Sequence, residues 1–166
     1  MITENNKIEN EVIYSDNKSH RYLLSRIWDN SKPIPLFITK SAGKADGIYL
    51  DLTTNIISSN LYMLGYGGFY AVNLISAVDN NAEILFDKDT DNIIKKYAKI
   101  SSEIIIAWGS LSTKAMQTRE SDILQILKKS GKKLLCTADN KGNTNIHPLT
   151  PSVRKSFQLT EFILSE

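Results

Sequence analysis

The segment from Glu103 to Ala115, EIIIAWGSLSTKA, constrains the fold of this chain more than any other. Three isoleucines and an alanine form a short β-branched apolar run, which is typical of a strand buried on both faces. Gly109 predicts a tight turn after the strand, and Ser110 can cap a helix that follows it. Because open parallel sheets bind ligands at the carboxyl ends of their strands, we expect the functional site near this turn.

The composition indicates one globular domain covering residues 1–166. The chain has 166 residues, of which 42% are hydrophobic and 23% are charged. This length and hydrophobic content are sufficient to form a buried core. The net charge of +2 does not by itself indicate nucleic-acid binding, although a local basic face is compatible with it. A single cysteine, Cys136, excludes an internal disulfide and suits a reducing compartment.

The N-terminal residues carry no targeting signal in their composition. Residues 1–10 are polar, lack the apolar centre of a signal peptide and are expected to be frayed. No apolar run reaches the length of a membrane span. We therefore expect a cytoplasmic protein with no membrane partner.

The pattern of apolar runs predicts an α/β fold. Runs at 11–14 and 21–28, separated by the turn-rich SDNKS, predict an N-terminal antiparallel hairpin. Four further strands are predicted to begin near Leu36, Phe69, Ile104 and Leu134. Amphipathic helices are predicted over residues 53–64, 90–100 and 120–130, and a modest helix or tail from residue 152. This alternation predicts a four-stranded, mainly parallel sheet flanked by helices, preceded by the hairpin.

Polar residues lie at or just after the carboxyl ends of the four predicted parallel strands. They are Ser41-Ala42-Gly43, Asn73, Gly109-Ser110 and His147-Pro148. A polar side chain inside an apolar strand costs free energy unless it is hydrogen-bonded. The amide of Asn73 offers donors and an acceptor together, which is the pairing that reads a nucleobase edge. Alternatively, Asn73 only caps the backbone of a neighbouring loop.

The two histidines differ in their expected roles. His147 precedes a proline, which holds it in an extended or turn conformation, and one ring nitrogen could donate to an oxyanion on a ligand. The alternative for His147 is an ordinary surface turn. His20, in the hairpin turn, is expected to be exposed and without a function. One cysteine and two distant histidines do not make a metal ligand set, and we expect no metal and no cofactor.

Taken in order, these motifs resemble the uracil-DNA glycosylase superfamily. There, one strand ends in the asparagine that reads uracil, which Asn73 in YAVN matches. A later strand ends in WGS and a lysine, as in IIIAWGSLSTKA. A late HP loop carries the catalytic histidine and enters the minor groove of DNA, which His147 and Pro148 match. The resemblance implies a fold of that superfamily.

A closer resemblance covers more than a hundred residues. It is to a bacterial family of unknown function, related to that superfamily and sometimes carried on mobile genetic elements. Its members read RYLL-R-W, then a FI-LNPSTAD loop, then WGYGG--VVNL, AWG and HPL. This chain has RYLLSRIW, FITKSAGKAD, LGYGGFYAVNL, AWG and HPL in the same order.

The first loop departs from the pattern of active glycosylases. The resemblance implies that an Asp or Asn followed by a proline positions the attacking water, and Ser41 and Ala42 stand at those places. Serine carries no charge and has a shorter reach, so the resemblance implies weak or absent catalysis. Asp46 or Asp51 could replace the missing acid, although either also suits a turn or a helix cap.

Three functions are compatible with these features. The first is a catalytically inactive, glycosylase-like protein that binds nucleic acid, a base-like ligand or a protein partner through Asn73, Ser41, Ala42 and His147. The second is an active DNA glycosylase, or another enzyme acting on bases, with His147, Ser41 and Asp46 as catalytic candidates. The third is an α/β domain that binds a small nucleotide, although no phosphate-loop motif supports it.

The surface beside this site is expected to contact DNA or a protein. Lys40, Lys44, Lys114 and Lys141 could share one rim and bind single-stranded or distorted DNA. The resemblance also implies a small DNA-mimicking inhibitor protein as a partner, with Leu149 entering its apolar pocket. The alternative is that Leu149 packs against the protein's own surface. The other residues expected on this surface are Ser110 and Pro148.

Overall fold

The computed structural model describes residues 1–79 and 82–164, and this part of the chain contains seven strands and three helices. In chain order they are β1 (Glu9–Tyr14), β2 (Arg21–Ile27), β3 (Leu36–Ser41), α1 (Leu52–Met63), β4 (Gly68–Ile75), α2 (Lys88–Ile100), β5 (Ile104–Ile106), α3 (Lys114–Lys128), β6 (Leu134–Ala138) and β7 (Gln158–Glu161). Strands and helices alternate from β3 to β6, as in other α/β folds.

The seven strands form one mixed sheet in the order β1-β2-β4-β3-β5-β6-β7. The four central strands, β4, β3, β5 and β6, are parallel to one another. On one side β2 pairs with β4 in the antiparallel direction, and β1 pairs with β2. On the other side β7 runs antiparallel to β6. The carboxyl ends of the central strands therefore share one edge of the sheet.

The expectation of a four-stranded sheet is wrong. The N-terminal hairpin does not stand apart, because Leu24 to Ile27 pair with Gly68 to Ala71 and make β2 an inner strand. Six of the seven residues of β2 are buried, so the strand is covered on both faces. The segment after residue 152, expected to be a helix or tail, contributes β7. The glycosylase-like sheet inferred from the resemblance is therefore incorrect.

Each helix begins at a side chain that accepts a hydrogen bond from the first turn. Asp51 accepts from the Thr54 N–H at the start of α1, and Asp87 forms a capping box with Thr90 at the start of α2. Thr113, and not Ser110 as expected, caps α3, which begins at Lys114 rather than near residue 120. Among the described residues, no helix is both long and apolar enough to cross a membrane.

Hydrophobic side chains cover both faces of the sheet. Because successive strand residues point to opposite faces, Leu36 and Ile38 of β3 join one core and Phe37 joins the other. The first core also contains residues of α2 and α3, among them Ile94, Tyr97, Ile123 and Leu127. The second contains residues of α1 and the C-terminal segment, among them Ile57, Leu61 and Phe157. Each fully buried aliphatic side chain contributes about 1.5–3 kcal/mol to folding.

Candidate functional site

A cleft of about 550 Å³ lies at the carboxyl edge of the parallel strands. Its walls come from the last residues of β3, from the loops after β5 and β6, and from the first turn of α1. The side chains that could contact a ligand there include Lys40, Ser41, Thr53, Ser110, Asn145 and His147. The topology brings these residues together because parallel strands all end at this edge.

The described lining of the cleft combines polar side chains with the apolar Trp108, Ile146 and Leu149, and it contains no acid. No Asp or Glu lies among the described residues that line it, and the ionisable groups there are those of Lys40 and His147. The remaining polar lining consists mainly of the hydroxyls of Ser41, Thr53, Ser110, Thr144 and Thr150. Such a surface donates hydrogen bonds and offers positive charge, which suits an oxygen-rich or anionic ligand. Among the described residues, no three His, Cys, Asp or Glu side chains are grouped so that they could hold a metal ion.

His147 is held as a hydrogen-bond donor. Its Nδ1 accepts from the backbone N–H of Leu149 at 3.2 Å, so the proton of the neutral ring is on Nε2. Burial lowers the pKa of His147, and the nearby Lys40 lowers that pKa further. The ring is therefore neutral at neutral pH. Nε2 has no hydrogen-bond partner within the described part of the chain, so its proton is available to a ligand.

The loop that carries His147 is tied to the turn after β5. Gly109 adopts a φ of +71°, and a Cβ at this position would lie 3.4 Å from the Cβ of His147. The Gly109 N–H donates to Asn145 Oδ1 at 3.3 Å, and Asn145 Nδ2 donates back to the Gly109 carbonyl at 3.5 Å. Asn145 itself has a φ of +52°, which asparagine tolerates better than most residues. Sequence reasoning missed Asn145, although its tolerance of this conformation is a usable signal.

Asn73 is buried beneath the cleft, and its amide is bonded within the protein. Its Nδ2 donates to Thr39 Oγ1 at 2.6 Å and to the Ser41 carbonyl at 2.9 Å. Its Oδ1 accepts from Arg21 Nη2 at 3.4 Å. Asn73 is not among the described residues that line the cleft. These contacts agree with the alternative in which Asn73 caps a loop, since reading a base would require breaking them.

Arg21 binds the loop after β3 and was not predicted from the sequence to be a site residue. It is buried, and its Nη1 donates to the Ala45 carbonyl at 2.7 Å. Burial lowers the pKa of Arg21, whereas the nearby carboxylate of Asp51 raises it. Nε is buried without a hydrogen-bond partner among the described residues. Arg21 and Asn73 together hold the backbone that follows β3.

The acids of the first loop have structural roles. Asp46 Oδ1 accepts from the N–H groups of Ile48 and Tyr49, each at 2.7 Å, and these bonds lower the pKa of Asp46. Asp51 caps α1. Neither carboxylate lies among the described lining residues, whereas Ser41 does. Ala42, the other residue at the expected water-binding place, is buried.

The residues expected to face DNA or a partner differ in exposure. Lys44, Ser110, Lys114 and Lys141 are exposed, and Lys40 lines the cleft. Pro148 is buried, and the half-buried Leu149 packs against the second core. Binding of DNA or of an inhibitor protein stays a prediction, while the packing of Leu149 agrees with the alternative stated for it.

His20 is not the exposed turn residue that we expected. It is buried, its Nδ1 lies 2.9 Å from Ser76 Oγ, and its ring stacks on Tyr22. Ser76 Oγ lies 2.7 Å from Thr90 Oγ1, which in turn donates to Asp87. The expectation failed because His20 pairs with Ala77, just after the end of β4, whereas residues 16–19 of the turn are exposed.

One family model matches this chain. The family described as "Protein of unknown function (DUF1643)" matches residues 21–149, which is more than half of the chain. The match begins at Arg21, includes both walls of the cleft and ends at Leu149. No curated protein and no solved structure matches the chain, and nothing in these comparisons links it to the uracil-DNA glycosylases. The chain belongs to the DUF1643 family.

Proposed function

We propose that the protein binds one nucleotide unit of a nucleic acid in the cleft at the carboxyl edge of the sheet and does not cleave its glycosidic bond. The observation that carries this proposal is the neutral His147, whose free Nε2–H lies in a cleft with Lys40 and without a lining carboxylate. Resemblance of the loop motifs to proteins that act on DNA supports the choice of a nucleotide.

The chemistry of the cleft matches the oxygen atoms of a nucleotide. Lys40 can pair with a phosphate, and the Nε2–H of His147 can donate to a phosphate or a base carbonyl oxygen. The hydroxyl groups of Ser41, at the end of β3, and Ser110, after β5, can both donate and accept. The volume of about 550 Å³ lies within the range usual for small-ligand sites.

Hydrolysis of a glycosidic bond would need a carboxylate or a free amide in the cleft, and the amide of Asn145, which lines it, is bonded to the Gly109 N–H and carbonyl. The reaction builds positive charge on the sugar, so a carboxylate or amide must orient water beneath it. The nearby carboxylates of Asp46 and Asp51 accept backbone N–H bonds that fix them in a turn and a cap. Ser41 can hold water through one hydroxyl only. We therefore infer binding without excision.

Fluorescence anisotropy with a labelled 12-nucleotide single strand at low salt tests the proposal. We expect Lys40→Gln and His147→Gln each to weaken binding by about tenfold, because the first removes the charge that pairs with phosphate and the second removes the positioned imidazole N–H. Lys7→Gln is the charge-matched control, since Lys7 is exposed and lies before β1. Absence of binding by the parent protein, or equal weakening by Lys7→Gln, would exclude the cleft as the site.

A further inference from the structure

A second basic surface lies at the opposite edge of the sheet. Both α2 and α3 connect parallel strands, so their C-terminal ends lie at the amino edge of the sheet. Six exposed lysines are found there, out of 20 lysines and arginines in the chain: Lys95, Lys96, Lys99, Lys128, Lys129 and Lys133. The positive charges are therefore clustered at this edge, although the net charge of the chain is only +2.

No acid pairs directly with any of these six lysines in the described part of the chain. Lys95 and Lys99 are four residues apart on α2, a spacing at which like charges destabilise a helix by about 0.2–0.5 kcal/mol. The helix dipole favours Lys99 and Lys128, which lie in the last turns of their helices. It does not account for Lys95, Lys96 or Lys133.

A groove of about 370 Å³ runs between the two helices and has cations on both walls. We call it the lysine groove and define it by Lys95, Lys99, Asp122, Gln125, Ile126 and Lys129. Lys95 and Lys99 form the α2 wall, and Lys129 lies on the α3 side. Asp122 is the one acid among its described lining residues, and Gln125 and Ser130 add neutral polar groups.

We propose that the lysine groove binds the phosphodiester backbone of single-stranded nucleic acid. A concave channel with cations on both walls can surround a chain of phosphates, as in other single-strand-binding grooves. An anionic membrane is flat and would reach only the rims, and membrane-surface helices usually carry several bulky apolar side chains for insertion. Ile100 is the large exposed apolar residue at this end of α2. Because the lysine groove and the cleft lie at opposite edges, this proposal does not rest on the proposed function.

The test measures the salt dependence of binding to a labelled 16-nucleotide oligo-dT between 25 and 200 mM sodium chloride. For single strands the slope of log K against log salt is about −0.7 per phosphate contact. The triple variant Lys95→Gln, Lys99→Gln and Lys129→Gln is therefore expected to lower the magnitude of the slope by about 2 and the affinity at low salt by at least about tenfold. The control triple variant Lys7→Gln, Lys32→Gln and Lys155→Gln has the same net charge and should retain the parent slope.

A further variant separates charge from folding. The triple arginine variant Lys95→Arg, Lys99→Arg and Lys129→Arg keeps the charges and should bind like the parent. If the glutamine triple variant retains the parent slope, or the control triple variant loses as much, the proposal is overturned. Binding to phosphatidylserine vesicles together with no binding to oligo-dT would also overturn it, in favour of a membrane partner.

The cleft and the groove can fail separately in this experiment. Loss of binding in the groove variant with no effect of Lys40→Gln supports the lysine groove and removes the proposed function of the cleft. Loss of binding in Lys40→Gln with no effect of the groove variant supports the proposed function of the cleft and overturns the proposal for the lysine groove. A parent protein that binds no oligonucleotide at 25 mM salt overturns both.

Discussion

At the scale of single residues, the cleft depends on the protonation state of His147. The Leu149 N–H donates to Nδ1, and a proton added there would abolish this bond, since both ring nitrogens of an imidazolium are donors. Burial and Lys40 both oppose the charged form. Acid is therefore unfavourable for the folded state, because protonation would break the Leu149 bond and place a charge on a partly buried ring near Lys40.

The pH dependence of stability follows from this. The pKa of His147 is lower in the folded than in the unfolded chain, so the unfolded state binds more protons as pH falls below the usual histidine range. Stability is therefore expected to be complete above about pH 7 and to decrease as pH falls through the unfolded pKa of about 6.5 toward the lower folded value. Urea unfolding of the parent and His147→Gln at pH 7.5 and 5.5 measures the effect. Equal losses in both proteins would show that His147 does not contribute.

Asn73 is expected to matter for stability. Asn73→Ala leaves Thr39 Oγ1, the Ser41 carbonyl and the Arg21 guanidinium without their partner, which should cost roughly 1–3 kcal/mol. Asn92→Ala is the matched control, because Asn92 is exposed and makes a single local bond to Asp89. Thermal and urea unfolding measure the difference. Unchanged stability with altered nucleotide affinity would instead support base reading by Asn73.

At the scale of elements, the site depends on two loops that are held together. Asn145 connects the loop after β6 to Gly109 after β5, and Thr137 Oγ1 donates to the Ile146 carbonyl at 2.5 Å. On the other wall, Arg21 and Asn73 hold the loop after β3. Buried and partly buried hydrogen bonds thus position the cleft, although most of its lining belongs to loops.

Gly109→Ala tests the coupling between the two loops. Alanine at a φ of +71° should cost about 1–2 kcal/mol. Relief of that strain would shift the bonds of Gly109 to Asn145 and the adjacent His147, which lies 3.4 Å from the new Cβ, and should weaken nucleotide binding. Gly131→Ala provides the control, because Gly131 has a similar φ of +68° and open space around it. Both variants should lose stability in urea unfolding. Weaker binding in both, or in neither, would contradict the coupling.

The sequence predicts some elements and misses others for physical reasons. The run Ile104 to Ile106 is apolar at every position, and such a run indicates a buried strand without help from distant residues. The place of β2 depends on pairing with β4, more than 40 residues away, which local patterns do not encode. β7 has four residues, none of them fully buried. The burial of Arg21 and His20 likewise depends on the assembled sheet.

At the scale of the whole molecule, excision activity is expected to be absent. Oligonucleotides that contain uracil should show no cleavage above background after alkaline treatment, since a lost preorganised catalytic group costs on the order of a hundredfold or more. Ser41→Asp is an informative companion, because it returns a carboxylate to the cleft wall. Excision by the parent protein at ordinary enzyme rates would contradict the proposed function.

The parallel arrangement of the central strands places the cleft and the lysine groove at opposite ends of the same strands. Strands of five to eight residues span about 17–26 Å. A mononucleotide can occupy one site only, whereas a longer strand that follows the surface can reach both. Binding would then be bivalent, and affinity should rise steeply with oligonucleotide length once the span is reached. The length of the β-strands would thus set the shortest oligonucleotide that binds tightly.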